Sequence, residues 1–308
     1  MIHIITGQTA TGKTAYALKR AEDLNGELIN ADARQMYKKL DIITGKDVDK
    51  TTGTFTVWKK MKNMEIGFYE FLPPTSYNLQ PMKLWLYDII EPSISFSSVE
   101  YAELARMVID DILSRGKTPI FVGGTFFYLQ QLLYASSKNR VPSDEKLRDE
   151  LSHKSITELQ QILSDKNLIL FRSLNNSERH NPQRMIRRIE IEMSEKSSHV
   201  KEVSAFPYEV SLEGFEFASK SRLRDVITHR VDQRLEDGAV KEVEDLLKMY
   251  DTSAPGMNAI GYTQIGSYLA REMSFDEMRS DWITKEVQYA KRQLTLMKRD
   301  EHISWHEV

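Results

Sequence analysis

Eight residues near the amino end constrain this chain more than any others. Gly7, Gln8, Thr9, Ala10, Thr11, Gly12, Lys13 and Thr14 fit the pattern GxxxxGKT. They follow a short β-branched run, Ile2 to Thr6, and precede an Ala/Leu/Lys-rich segment that ends at Asn25-Gly26. Strand, glycine loop and helix in that order are the context a phosphate-binding loop needs. The glycines let backbone N–H groups converge on phosphate oxygens, and the helix N-terminus adds partial positive charge. Lys13 supplies a mobile point charge, and the Thr14 hydroxyl is a candidate ligand for Mg²⁺. Such a loop binds a diphosphate or triphosphate without saying which bond is broken, since kinases, GTPases and ATPases share it.

The rest of the chain extends the strand and helix alternation. Glu27 to Ala31, Leu84 to Ile90 and Pro119 to Val122 read as further strands. A helix between the last two opens on a capping box, Ser97 with Glu100, and closes at Gly116. Alternating strands and helices predict an α/β fold, a doubly wound parallel sheet around the phosphate loop. At about 51–80 the rhythm breaks: Thr54 to Trp58 and Glu65 to Phe71 alternate like hairpin strands and Pro73-Pro74 follow, which reads as a small inserted β-arm. From about 140 the pattern turns helical, over Asp144 to Asp165 and Asn181 to Met193. A strand near Val210 to Phe217 and helices over about 221–248 and 278–299 complete the chain. The expected division is a catalytic core over 1–139, a mainly helical insertion over 140–205 and a return to the core with C-terminal helices over 206–308. A length of 308 residues suits two units or one with a large insertion.

Composition removes other classes. Forty-two basic against 45 acidic side chains leave a net charge of -3, so any grip on a polyanion must come from a local patch. There is no cysteine, which excludes disulfides, thiolate metal sites and cysteine nucleophiles. With no leader-like start and no long apolar run, a soluble cytoplasmic protein without a membrane partner is expected.

After the second strand comes Asp32-Ala33-Arg34-Gln35-Met36-Tyr37, then Leu40-Asp41-Ile42 and Thr44-Gly45-Lys46. Further on stand Asp88 to Pro92, Val122 to Leu129, Pro142 to Leu151, Asn181 to Glu190, Arg230-Val231-Asp232, Ala259 to Tyr262 and Tyr289 to Thr295. With the phosphate loop, this ordered set closely resembles the tRNA dimethylallyltransferases, also called tRNA isopentenyltransferases, in their bacterial form. Departures from the family pattern are Ala33 for a common serine, Phe126 for a small residue, Leu84-Trp85 for a frequent histidine pair and Lys220 for a usual arginine. The stretch 48–82 is longer than the family's connection.

The resemblance implies transfer of a dimethylallyl group from dimethylallyl diphosphate to N6 of an adenine beside the tRNA anticodon, with Mg²⁺ as cofactor and diphosphate as leaving group. An aromatic amine is a poor nucleophile, so the site must align it, accept its proton and stabilise the departing diphosphate. Asp32, at the carboxyl end of a strand beside the loop, is the expected general base. Thr125 is the expected partner that orients adenine or Asp32. Besides Gly7 to Thr14, Lys46 and Lys220 are expected at the diphosphate.

The adenine must leave its stack, so tRNA needs a grip. Expected contacts are Asp32, Ala33, Arg34, Gln35 and Thr125 at the pocket, then Arg148, Gln183, Arg184, Met185, Ile186, Arg187 and Arg188 in the helical insertion. Arg184, Arg187 and Arg188 fall at i, i+3, i+4 on one helical face. Lys291 and Arg292 on the last helix are the second basic surface. A monomer is the working expectation. Competing readings are a small-molecule kinase, a prenyltransferase for free adenine nucleotides and a non-catalytic RNA-binding protein.

Overall fold

The computed structural model describes residues 1–46, 53–61, 63–71, 81–134, 141, 144–194 and 205–308. They form two compact units, one from Met1–Leu132 with Pro207–Val308 and one from Leu133–Phe206.

The first unit is built on an eight-stranded sheet. Its strands are β1 (Ile2–Gly7), β2 (Gly26–Asn30), β3 (Thr54–Met61), β4 (Met64–Phe71), β5 (Met82–Trp85), β6 (Thr118–Val122), β7 (Val210–Glu216) and β8 (Ser304–Glu307). They lie in the order β3-β4-β5-β2-β6-β1-β7-β8. From β5 to β8 all neighbours are parallel, whereas β3, β4 and β5 pair antiparallel. Every residue of β1 and β2 is buried, which means both faces of the central sheet are covered, the normal state of parallel strands. On one face Ile5, Leu28, Ile120 and Val122 pack with Ala17 and Ala21 of α1 (Lys13–Asp23). The helix α2 (Ser98–Ser114) also packs on β2 and β6. It opens on the expected Ser97–Glu100 capping box, and Gly116 follows it in the left-handed region at φ 69°.

The region read as an inserted β-arm is the expected hairpin, β3 with β4, and it forms the edge of this sheet. Phe68 pairs with Trp85 and Phe71 with Met82, so the hairpin continues the sheet past β5. Pro73-Pro74 lie outside the described residues. The strand expected over Leu84 to Ile90 is corrected: β5 ends at Trp85, and the chain turns through left-handed backbone at Leu86 (φ 66°) and Asp88 (φ 52°). Asp88 leaves the strand because its carboxylate accepts from the Tyr69 hydroxyl at 2.6 Å and from Lys46.

The helical expectation near the carboxyl end divides into α9 (Lys220–Glu236) and α10 (Ala239–Leu247), separated by Gly238 at φ 100°. The short helix α11 (Tyr262–Leu269) follows, then α12 (Phe275–Met297), which starts at its own capping box, Ser274 with Glu277. On α12 Val287, Ala290 and Met297 are buried.

Between the two parts of the first unit, α3 (Phe126–Leu133) leads into the second unit. That unit holds α4 (Glu145–Ser152), α5 (Ile156–Lys166), α6 (Leu168–Ser173), α7 (Asn176–Arg179) and α8 (Pro182–Met193). The helical stretch expected over Asp144 to Asp165 is two helices, because Ser155 and Glu158 form a capping box that starts the second. Leu151, Leu159, Leu163, Leu174, Met185 and Ile189 close the core of this unit.

Candidate active site

The phosphate loop leaves β1 at Gly7, whose φ of 134° and close approach to β7 admit no side chain: a Cβ there would sit 2.2 Å from the Phe215 carbonyl oxygen. Gln8 N–H donates to that same carbonyl at 2.9 Å, and Gln8 Oε1 accepts from Phe217 N–H at 3.0 Å. Left-handed backbone at Ala10 and Gly12 turns the loop into α1. The Thr11 hydroxyl donates to Gln8 O at 2.8 Å, and Lys13 Nζ donates to the same oxygen. Thr14, in the first turn of α1, faces the same space as Lys13.

Asp32 and Thr125 are brought together by backbone. Gly123 presses on the residue that follows β2 so closely that a Cβ would lie 2.3 Å from the Ala31 carbonyl carbon. Thr125 N–H then donates to Ala31 O at 3.0 Å, and the Thr125 hydroxyl accepts from Ala33 N–H at 3.0 Å. The buried Asn30 amide braces the turn, accepting from Asp32 N–H at 2.9 Å and donating to Leu86 O at 3.2 Å. Asp32 Oδ1 accepts from Arg34 N–H at 2.9 Å. The Arg34 guanidinium reaches the carbonyls of Pro255 (3.1 Å) and Asn258 (3.4 Å).

Phosphate loop, Asp32 turn and Thr125 loop all line one cavity of about 1150 Å³. Its remaining walls come from residues 42–46, from α9 through Val226, Arg230, Gln233 and Arg234, from 258–260 and from α12 through Glu286, Tyr289, Arg292 and Gln293. Arg230 donates to the Thr9 hydroxyl, which places a guanidinium against the phosphate loop. Arg234 beside it is buried and donates to Glu286 at 2.8 Å. Burial, then the neighbouring Arg230 charge, bring Arg234 down to about 10, opposed by Glu286. Burial in the wall, then Asp32, push the Tyr289 phenol up to about 12, although the residue as a whole remains 36% exposed. It is a neutral hydroxyl across the physiological range.

Several expected contacts fall elsewhere. Lys220 begins α9, exposed and off the cavity wall, about 15 Å along the helix from Arg230; Arg230 holds the place expected of it. Lys46 lines the cavity but its ammonium is committed, at 1% exposure, to Asp41 (2.8 Å), the Tyr37 carbonyl (2.6 Å) and Asp88. Its three protons are used, so a direct diphosphate contact is replaced by a structural one. Gln35 likewise donates to the carbonyls of Thr44 (3.3 Å) and Gly45 (2.9 Å), which leaves no amide proton for a base. Arg292 lines the cavity while Lys291 is exposed outside it.

In the helical unit the arginine face is largely spoken for. Glu190, 2% exposed, accepts from Arg148 Nε and Nη2 at 2.9 and 3.0 Å, from Arg187 and from Asp144 N–H at 2.6 Å. Arg187 also donates to the Val141 carbonyl at 2.7 Å, and Arg188 pairs with Glu178 at 3.1 Å. Arg148 and Arg187, expected as tRNA contacts, therefore hold the unit together through Glu190. Met185 is fully buried in the unit's core and has no side-chain surface to offer RNA; Ile186 packs against that core. Gln183 and Arg184 are exposed on α8.

What sequence reading missed is Arg230, Arg234, Tyr289 and Gln293 as cavity residues. The signal is present for the first and the last two, since the Arg230-Val231-Asp232 and Tyr289 to Thr295 segments belong to the ordered set of family-like motifs.

Fold and site together define a phosphate-loop α/β protein whose anion cradle and carboxylate open on one space. A family model described as IPP transferase matches residues 63–300. A tRNA dimethylallyltransferase of Acetivibrio thermocellus is 34% identical over 309 residues, covering 98% of this chain and 90% of the relative. One from Staphylococcus haemolyticus is 31% identical, covering 98% of this chain and 85% of its own. The solved full-length tRNA isopentenylpyrophosphate transferase of Bacillus halodurans gives a TM-score of 0.67 at 27% identity, over 99% of this chain and 89% of that one. A eukaryotic dimethylallyltransferase acting on tRNA shares the fold, with a TM-score of 0.75 at 21% identity over 99% of this chain and 73% of that one. This chain belongs to the IPP transferase family.

Proposed function

We propose that this chain transfers the dimethylallyl group of dimethylallyl diphosphate to N6 of an adenine beside the anticodon of tRNA. The observation that carries the reading is the shared cavity: the phosphate loop and Arg230 lie in one wall, Asp32 and Thr125 in another. The family's membership supports the same reaction. In it, N6 forms a bond to the allylic carbon, the carbon–oxygen bond breaks, and its electron pair leaves with diphosphate. Lys13, Arg230, Arg234 and the loop N–H groups receive that charge. Asp32 takes the proton of the alkylated nitrogen. A carboxylate is a weak base, so the proton follows carbon–nitrogen bond formation, once the amine has become acidic. Thr125, fixed by Ala33 N–H, orients the base or the carboxylate.

Mg²⁺ fits this site. Among the described residues no cluster of three acidic or histidine side chains gathers, but Mg²⁺ typically takes one or two protein oxygens and completes its shell with phosphate and water. The Thr14 hydroxyl is such an oxygen. When bound, the ion supplies charge to the leaving diphosphate.

Arg34, Arg292 and the pocket backbone suit the extruded base and its neighbouring phosphates, and exposed Gln183 and Arg184 suit the tRNA backbone. The helical unit is then the tRNA-binding insertion. Among the described residues no helix is long and apolar enough to cross a membrane.

The test is incubation of the protein with tRNA, Mg²⁺ and labelled dimethylallyl diphosphate, ATP omitted, followed by nucleoside analysis. Label in a modified adenosine is expected. Productive use of ATP without allylic transfer would establish the kinase reading instead.

A further inference from the structure

Residues 40–46 cross the cavity wall as an irregular strap, with Ile42, Ile43, Thr44 and Gly45 facing the cavity. A backbone segment outside helix and sheet must find other partners for its N–H groups. Here three consecutive ones converge on a single carboxylate of α10. Asp41 and Ile42 N–H donate to Glu242 Oε2 at 3.0 and 2.7 Å, and Ile43 N–H donates to Oε1 at 3.3 Å. Tyr262, 1% exposed, donates its hydroxyl to Oε1 at 2.5 Å and fixes the carboxylate. The strap is also wedged sterically: a Cβ on Gly261 would lie 2.5 Å from Ile43 Cγ2.

Its far end carries the consequence. Gly45 lies directly under the paired guanidiniums, since a Cβ there would be 2.6 Å from Arg230 Nη2 and 2.9 Å from Arg234 Nη2. The height of the strap therefore sets where both cations rest, and Arg230 in turn touches the phosphate loop through Thr9. Glu242 does not line the cavity.

We infer that Glu242 is a positioning residue for the allylic diphosphate: it holds the 41–45 strap by its backbone and so places Arg230 and Arg234 for the leaving group. This rests on the reaction proposed above. The anion is needed because four donors face it, three backbone N–H groups and the Tyr262 hydroxyl; glutamine would turn an N–H₂ toward some of them.

The experiment is initial-rate kinetics on the full chain with each substrate varied, beside thermal melts. For Glu242→Gln the KM for dimethylallyl diphosphate should rise about tenfold, with kcat within about threefold and the KM for tRNA within about twofold. Glu242→Asp, which keeps the charge, should recover most of the donor affinity. A folded Glu242→Gln with unchanged donor KM, or with both KM values and kcat moving together, overturns the inference. Should that variant fail to fold, Tyr262→Phe decides. A donor KM raised about threefold supports the role, and an unchanged one removes it. Wild-type protein is measured first, and absence of transfer there strikes the proposed reaction, not the role of Glu242 within it.

Discussion

Arg187 and Arg230 are alike in the sequence: each follows the first turns of a polar helix and each belongs to a matched segment. In the fold they part. Arg187 in the helical unit closes on the buried carboxylate of Glu190 and on the Val141 carbonyl. Arg230 in the core meets a neutral hydroxyl, Thr9, and a second cation, Arg234, on the wall of a large cavity. A guanidinium satisfied by an anion contributes to folding; one set against a hydroxyl and a second cation gains no such pairing from those neighbours. The lesson is that helical spacing tells which side chains share a face, while the carboxylates contributed by other segments decide what the face does.

Four measurements would break or sharpen this contrast. The largest effect is expected at the core carboxylate: Asp32→Ala should slow single-turnover transfer by about 100-fold or more while leaving tRNA binding nearly intact. Wild-type turnover in that variant would remove Asp32 from the base role. Next, Arg230→Ala should lower kcat/KM for the donor by about 50-fold, whereas Lys220→Ala should stay within about twofold of wild type. Equal losses in the two would erase the distinction drawn between the ends of α9.

In the helical unit the readout shifts to stability. Glu190→Gln should destabilise by about 2 kcal/mol in denaturant titrations, because two arginines lose a buried partner while remaining partly hydrated. The effect is pH-dependent. Burial alone would raise the Glu190 carboxyl, but hydrogen bonds from Arg148 and Arg187 and from Asp144 N–H outweigh it and hold the group below its ordinary value of 4.5. Its contribution is thus complete above that value and is lost as pH falls through the depressed folded one. The acid-side loss of stability should be blunted in Glu190→Gln; an identical acid profile would show that the carboxylate is not what titrates. Smallest of all, exposed Arg184→Ala should reduce the salt slope of tRNA binding by about 1. No change in slope would leave α8 with a structural role alone.

The sequence disclosed the parts of the site that are written into backbone geometry. Gly7, Gly12 and the residues around Asp32 sit where glycine freedom and strand ends dictate, so pattern and order were enough. It also disclosed the strand and helix alternation, though Leu84 to Ile90 was read as one strand because its apolar run hides the left-handed turns at Leu86 and Asp88. The hairpin pattern was visible, but nothing local could say that β4 would join β5 and lengthen the sheet. Side chains whose partners lie far along the chain were the least legible. Lys46 reads as a free lysine until Asp88 folds back on it, and Met185 reads as part of a contact surface until the core of α4 to α8 closes over it.

The meeting of Gly7 and Gln8 with Phe215 has a consequence for biogenesis. The loop leaves the ribosome early, yet the strand against which it is shaped is translated about two hundred residues later, after the whole helical insertion. Nascent chains stopped before β7 should lack the native shape of this loop however long they wait, because the strand that fixes Gly7 and Gln8 has yet to slot beside β1.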